Sequence, residues 1–147
     1  MKPCFVNPCP FPLENFPGIP GEYCGILASK GIKTTEDFFE SQKNATDRNK
    51  TAEDTGIPPE RLNELFALCD LSRIEGIGPV LARLAYICGT KSVGAFSKTR
   101  AEEEYRKYIE LIDRYGYKAE DFSVEDLAQC IQRAELLMEM EQKNTDT

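Results

Sequence analysis

The chain of 147 residues contains no histidine. Histidine is the commonest general base and metal ligand near neutral pH, so its absence leaves carboxylates, lysines and cysteines for catalysis, and no motif groups them. The sequence also lacks an apolar run long enough to cross a bilayer, and its N-terminus lacks the apolar segment of a secretory signal. We therefore expect a cytoplasmic protein that is not an enzyme and makes no use of a membrane.

A convincing alternation of apolar and polar residues is also absent, so nothing in the sequence predicts a sheet. Three segments instead have apolar residues at the i, i+3, i+4, i+7 spacing of one buried helical face: Leu62, Leu65, Phe66 and Cys69; Tyr105, Tyr108, Ile109 and Ile112; and Leu127, Cys130, Ile131 and Ala134. Thr34, Thr99 and Ser123 each precede an acidic residue by three positions, the spacing of a capped helix start. The sequence predicts an all-α fold.

The most informative feature that is present is an internal repeat at a constant offset. Residues 13–38 align without a gap to residues 71–96, and the matches include Leu13 with Leu71, Gly18 with Gly76, Gly31 with Gly89 and Phe38 with Phe96. Further along, a larger offset pairs Leu62 with Leu127 and Leu71 with Leu136. The second unit thus carries about seven extra residues, which we place near residues 115–117. We predict two units that are related by internal duplication and share one core.

Each unit contains a short glycine turn between two helical stretches. In Ile74-Glu75-Gly76-Ile77-Gly78-Pro79, the glycines allow positive φ, and the proline suits the first turn of a helix. In the first copy a proline, Pro20, replaces the second glycine. These residues, together with the phrase from Gly31 to Phe38, resemble the helix-hairpin-helix domains, and in particular a tandem type from an uncharacterised, mostly bacterial family. The resemblance implies an all-α fold and makes binding to a nucleic-acid backbone plausible, but it identifies no reaction.

The length fits one domain that is large enough to bury a sizeable core. We divide the single domain 1–147 into an extended proline-rich arm at 1–12, a first helix-hairpin-helix unit at 13–70, a second unit at 71–140 and a frayed tail at 141–147.

The six cysteines favour packing over metal binding. Four of them occupy apolar helical faces, where a cysteine behaves as a small hydrophobe: Cys24, Cys69, Cys88 and Cys130. Cys4 and Cys9 have a spacing that could bring two thiolates to one metal, but the sequence offers no histidine and no second pair nearby. We expect no metal and no cofactor, with free thiols in a reducing compartment.

Charge is distributed unevenly along the chain. The net charge is −7, yet residues 71–107 contain seven Lys/Arg and four Asp/Glu. The second hairpin lies in this positive segment, and the amides at the start of its second helix have no internal acceptors and could bind a phosphate. The candidate nucleic-acid site consists of Gly76, Ile77, Gly78, Arg73, Arg83, Lys91, Lys98 and Arg100.

Two other functions compete with nucleic-acid binding. Helix-hairpin-helix DNA glycosylases use an aspartate, often with a lysine, soon after the hairpin helix, whereas residues 91–96 contain Lys91 but no aspartate.

Val80 and Glu22 stand where many DNA-binding relatives present a cation, and a net charge of −7 repels a polyanion. We therefore expect a non-catalytic binding module with sequence-independent contact to DNA or RNA through the second hairpin. The alternative is a module that binds another protein, or a scaffold, in which the glycine hairpin only lets two helices pack closely.

Overall fold

The computed structural model describes residues 10–146, which are helical and contain no strand. The predicted all-α fold is confirmed for this part of the chain, whereas Cys4 and Cys9 lie outside it. A short 3-10 helix at Leu13–Asn15 precedes the α-helices, which are α1 Gly21–Ala28, α2 Thr35–Ser41, α3 Ala45–Thr55, α4 Pro59–Leu71, α5 Pro79–Ile87, α6 Val93–Phe96, α7 Ala101–Tyr115 and α8 Val124–Asp146. α8 continues to Asp146 and thus includes residues 141–146, which the sequence assigns to a tail.

Two of the three predicted helix caps form. The Thr34 side chain accepts a hydrogen bond from the amide of Asp37, whose carboxylate accepts one from the Thr34 amide in return. Ser123 and Asp126 make the same reciprocal pair at the start of α8. The prediction for Thr99 is wrong, because its hydroxyl donates to the Phe96 carbonyl at 2.7 Å and α7 begins after Arg100 without a side-chain cap. A threonine can close the preceding helix as readily as it opens the next one.

The same backbone conformations recur at the offset that aligns Leu13 with Leu71. Gly18 and Gly76 have φ of 87° and 96°, and Gly31 and Gly89 have φ of 83° and 90°. At the latter pair, the helix before the glycine closes with the same two hydrogen bonds, which have the Schellman pattern. In α1 these run from Gly31 to the Ala28 carbonyl and from Ile32 to the Leu27 carbonyl, and in α5 from Gly89 to Tyr86 and from Thr90 to Ala85.

The second half of the chain is longer than the first at two places. α7 has 15 residues where α3 has 11. Each of these helices ends at a left-handed glycine, Gly56 or Gly116, but the connection to the next helix spans residues 56–58 in the first half and 116–123 in the second. The additional residues thus lie at the end of α7 and in the loop that follows.

One hydrophobic core joins both halves of the chain. α4 lies against α2, α3, α5 and α6, and α8 packs on α6 and α7. The core is filled from all of these helices and from the 3-10 helix, and its most buried members include Leu13, Leu27, Phe38, Leu62, Leu68, Leu84, Phe96 and Tyr108. Neither half has a separate core within residues 10–146.

The four helical cysteines pack in or against the hydrophobic core, as predicted. Cys24, Cys69 and Cys130 are buried, and Cys88 is partly buried. Burial raises the pKa of Cys24, Cys69 and Cys88, and neighbouring carboxylates add to the effect. The thiolate is the reactive and metal-binding form of cysteine, so these thiols are poor nucleophiles near neutral pH.

From residue 10 to residue 146, no helix combines the length and the apolar character that a membrane crossing requires.

Substitution of Gly76 tests the predicted turn, because alanine strains a residue at positive φ. We expect Gly76→Ala to lower the free energy of unfolding by about 1 kcal/mol or more. Gly25 is the matched control, since it lies within α1 and an added β-carbon there would meet nothing within 4 Å. Gly25→Ala should raise the free energy by about 0.5–1 kcal/mol, which is the helix propensity gained.

Urea denaturation of both variants provides the measurement. Equal effects of the two substitutions would contradict the assignment of Gly76 to a left-handed turn.

Candidate nucleic-acid interface

The second hairpin is the turn of residues 72–78 between α4 and α5. Ile77 points into the core, and its amide donates to the Ile74 carbonyl at 3.0 Å. Gly76 has the predicted positive φ, but Gly78 is extended, with φ of −88° and ψ of −172°. Gly78 therefore serves as the N-cap of α5 and does not need a left-handed conformation.

The first turn of α5 offers free backbone donors. Its N-cap, Gly78, has no side-chain hydrogen bond, and the first helical residue, Pro79, has no N–H to donate. The amides of Val80 and Leu81 lie in the first turn, where no intrahelical acceptor exists. Both residues are partly exposed, so these amides are the groups that the hairpin can present to an anion. The ring of Phe11 flanks this end of the turn, 3.8 Å from where a β-carbon of Gly78 would lie.

Arg73 is engaged with acidic side chains at this hairpin. Its Nη2 lies 2.6 Å from Oδ1 of Asp70, and its Nη1 lies 3.0 Å from Oε1 of Glu141 in α8. Its guanidinium also stacks on Phe39, 4.5 Å from the ring centroid. A phosphate could use Arg73 only by competing with these carboxylates, so the role that the structure gives Arg73 is to connect α8 to the turn.

Arg83 does not reach the surface. The residue is 6% exposed, its Nη1 lies 2.7 Å from Oε2 of Glu64, and its Nε donates to the Pro17 carbonyl at 2.6 Å. A β-carbon on Gly18 would lie 2.9 Å from the remaining nitrogen, Nη2. The first hairpin is the turn of residues 16–20 between the 3-10 helix and α1. α5 directs Arg83 toward this hairpin, so the residue does not belong to the predicted phosphate-binding surface.

Glu64 holds a second arginine in the same way. Arg61 lies one turn earlier on α4, with Nη1 2.8 Å from Oε1 of Glu64 and Nη2 donating to the Gly18 carbonyl at 2.7 Å. We call Arg61, Glu64 and Arg83 the hairpin clamp, because both arginines bind carbonyls of the first hairpin. The clamp joins α4, α5 and the first hairpin, and it commits that hairpin to internal packing.

Sequence reasoning missed the hairpin clamp. An Arg–Glu pair three residues apart is common on helix surfaces, so the spacing of Arg61 and Glu64 carries little information. Arg83 stands among Ala82, Leu84 and Ala85, all of which are buried. Its position within an apolar stretch was the available signal that its side chain points inward.

The remaining predicted cations are exposed, namely Lys91, Lys98 and Arg100. Within residues 10–146 none of the three takes part in an ion pair, and the Nζ of Lys91 lies 5.0 Å from the centroid of the Tyr86 ring. Lys91 follows the C-terminal end of α5, whereas the hairpin precedes its N-terminal end, and a nine-residue helix separates its ends by about 13 Å. The structure therefore divides the predicted site between two ends of α5.

Other parts of the described structure are less suited to bind a ligand or to catalyse a reaction. A groove of about 420 Å³ runs beside the start of the described chain and is lined by Pro10, Thr35, Glu36, Phe39, Glu40, Cys69, Ser72 and Arg73. Among its described lining residues the thiol is that of Cys69, which is buried and has a raised pKa and is therefore a poor nucleophile. Within residues 10–146, no group of three or more carboxylates and thiols is arranged to hold a metal.

Comparison with known proteins identifies one family. Residues 17–137 match the family model described as a domain of unknown function, DUF4332. This match covers most of the chain, which therefore belongs to that family. No curated protein and no solved structure matches the chain significantly.

A double-mutant cycle on Glu64 and Arg83 tests the hairpin clamp. We expect Glu64→Gln to lower the free energy of unfolding by about 3 kcal/mol, because it leaves a buried guanidinium without its counterion. Arg83→Met should also destabilise the protein, and the double variant should lose less than the sum of both, with a coupling of about 1 kcal/mol or more.

Glu60 lies one turn earlier on the same helix and is exposed, so Glu60→Gln serves as the control with little expected effect. Urea denaturation measures the free energy of unfolding of the unaltered protein and of all four variants. Strict additivity of the Glu64→Gln and Arg83→Met effects would show that the two side chains do not interact.

Proposed function

We propose that the chain is a non-catalytic binding module of two helix-hairpin-helix units that arose by internal duplication, and that it works in the cytoplasm. The paired left-handed glycines support the duplication, since Gly18 matches Gly76 and Gly31 matches Gly89 at the offset predicted from the sequence. The matching Schellman hydrogen bonds at the ends of α1 and α5 support it further.

We further propose that the second hairpin binds the phosphate backbone of DNA or RNA weakly and without sequence preference. The observation that carries this proposal is the uncapped start of α5, where the amides of Val80 and Leu81 are free to bind an anion. The first hairpin is less suitable, because carbonyls of Pro17 and Gly18 are bound by the hairpin clamp and Glu22 follows at the start of α1.

The structure supplies few cations for this contact. Arg83 is buried and Arg73 is paired, so the exposed candidates of the predicted set are Lys91, Lys98 and Arg100. Affinity for duplex DNA falls with salt by a slope of about 0.9 per phosphate contact in a plot of log K against log salt. A slope of about two or three is therefore expected, together with low affinity, since the net charge of −7 opposes approach of a polyanion.

Charge reversal of the three exposed cations tests this proposal. We expect Lys91→Glu, Lys98→Glu and Arg100→Glu, combined in one variant, to weaken binding to fluorescein-labelled 20-mers by about tenfold or more at low salt, because each removes a phosphate partner. The control combines Lys30→Glu, Lys33→Glu and Lys50→Glu, which are exposed, lie in the first half and change the net charge equally. Fluorescence anisotropy over a salt series measures the binding of each variant to duplex and to single-stranded 20-mers.

Equal losses in the two variants would assign the effect to net charge and contradict a site on the second unit. Absence of binding by the unaltered protein at low salt would exclude the nucleic-acid function.

A second candidate function, binding to another protein, is favoured by a different observation. Leu136 and Met140 are 55% and 60% exposed on the C-terminal half of α8. These two long apolar side chains are four residues apart and thus lie on one side of the helix.

A further inference from the structure

The C-terminal half of α8 has apolar side chains that the core does not cover. Cys130 and Ala134 are buried in the core, whereas Leu136 and Met140 are mostly exposed. We call Leu136 and Met140 the α8 stripe. Met138 lies on another side of the helix, where its Cε is 3.3 Å from the position of a β-carbon on Gly94 in α6. The α8 stripe is thus separate from the packing between α6 and α8.

The leucines that align with Leu136 in the repeat are buried. Leu136 aligns with Leu71 at the larger of the two repeat offsets, and Leu71 aligns with Leu13 at the smaller one. Leu13 and Leu71 are 1% and 0% exposed, and α4, which ends at Leu71, is packed against α5. The leucines that align with Leu136 are thus buried in a core built of helices, and a helix from outside would bury Leu136 in the same way.

Two exposed carboxylates beside the α8 stripe favour a cationic partner. Glu135 and Glu139 are exposed, and neither takes part in an ion pair within residues 10–146. Residues 135–143 contain three glutamates and one lysine. Cationic side chains on a docked helix would complement these carboxylates, and opposite charges favour encounter and register.

A second copy of the chain fits this surface less well. An antiparallel pair of α8 helices centred between Leu136 and Met140 would bring Glu135 of one copy beside Glu141 of the other. Each copy also carries a net charge of −7, which disfavours approach. Like charges placed opposite each other cost binding free energy and select against that partner.

We propose that the α8 stripe, with Glu135 and Glu139 at its border, docks a basic amphipathic helix of another protein. This inference rests on the second candidate function, not on nucleic-acid binding. Leucine and methionine suit this role, because the unbranched thioether chain adapts to partners of different shape. Recognition uses apolar anchors spaced i, i+3, i+4 and i+7 on the docked helix, with Lys or Arg beside them.

A synthetic peptide provides the probe. It is about five helical turns long, with leucine at the helical anchor positions and lysine elsewhere, and a matched peptide has glutamate in place of lysine. We expect fluorescence anisotropy of the labelled peptides to show binding of the lysine peptide and not of the glutamate peptide. Leu136→Ser combined with Met140→Ser should weaken this binding about tenfold, as expected for loss of apolar anchors.

Two matched controls separate the α8 stripe from general effects. Ile87→Ser combined with Ile109→Ser removes two other exposed apolar side chains, at 37% and 43% exposure on α5 and α7, and should change binding less than about twofold. Glu135→Lys with Glu139→Lys should weaken binding about tenfold, whereas Glu102→Lys with Glu103→Lys, which changes the net charge equally on α7, should do less.

Three results would overturn the inference. These are no binding of the lysine peptide by the unaltered protein, equal losses in the α8 variants and their controls, and a dimer in sedimentation velocity that Leu136→Ser and Met140→Ser convert to monomer. Nucleic-acid binding of the same variants is measured in parallel. Retained nucleic-acid binding with no peptide binding would overturn this inference alone, and peptide binding without nucleic-acid binding would support it while excluding the nucleic-acid function.

Discussion

The interaction of Glu64 with Arg83, both of which are buried, is the constraint on which the arrangement of the two halves depends. Burial of charges has a large desolvation cost, so Glu64 and Arg83 each require the other. Glu64 receives one guanidinium from its own helix and one from α5, and both arginines also bind carbonyls of the first hairpin. A shift of α5 relative to α4 would separate Arg83 from Glu64 and from Pro17. The hairpin clamp therefore constrains how the halves pack.

The same interaction makes the two hairpins unequal. Carbonyls of the first hairpin are occupied by the arginines of the clamp, and Gly18 leaves no room for a side chain beside Arg83. At the second hairpin, the Glu75 carbonyl accepts a weak hydrogen bond from the Cys130 thiol instead. Two turns that both contain a left-handed glycine thus differ in their surroundings, since the clamp holds the first and not the second.

α4 and α8 differ in how far the core covers them. α4 is central, because it packs on helices of both halves, whereas the C-terminal part of α8 passes beyond the core. Leu71 is buried and Leu136 is exposed, so the exposed apolar surface lies on a different element from the positively charged segment 71–107.

The sequence by itself determined the helical class, the left-handed glycines and the burial of the helical cysteines, because these depend on local spacing and on side-chain chemistry. Gly76, Cys69 and the Thr34 cap all lie as predicted. Only the tertiary structure decided which charges are available. Arg83 and Lys91 are equally cationic in the sequence, yet one is buried against Glu64 and the other is exposed. That difference arises from contacts between residues on separate helices, which no local pattern encodes.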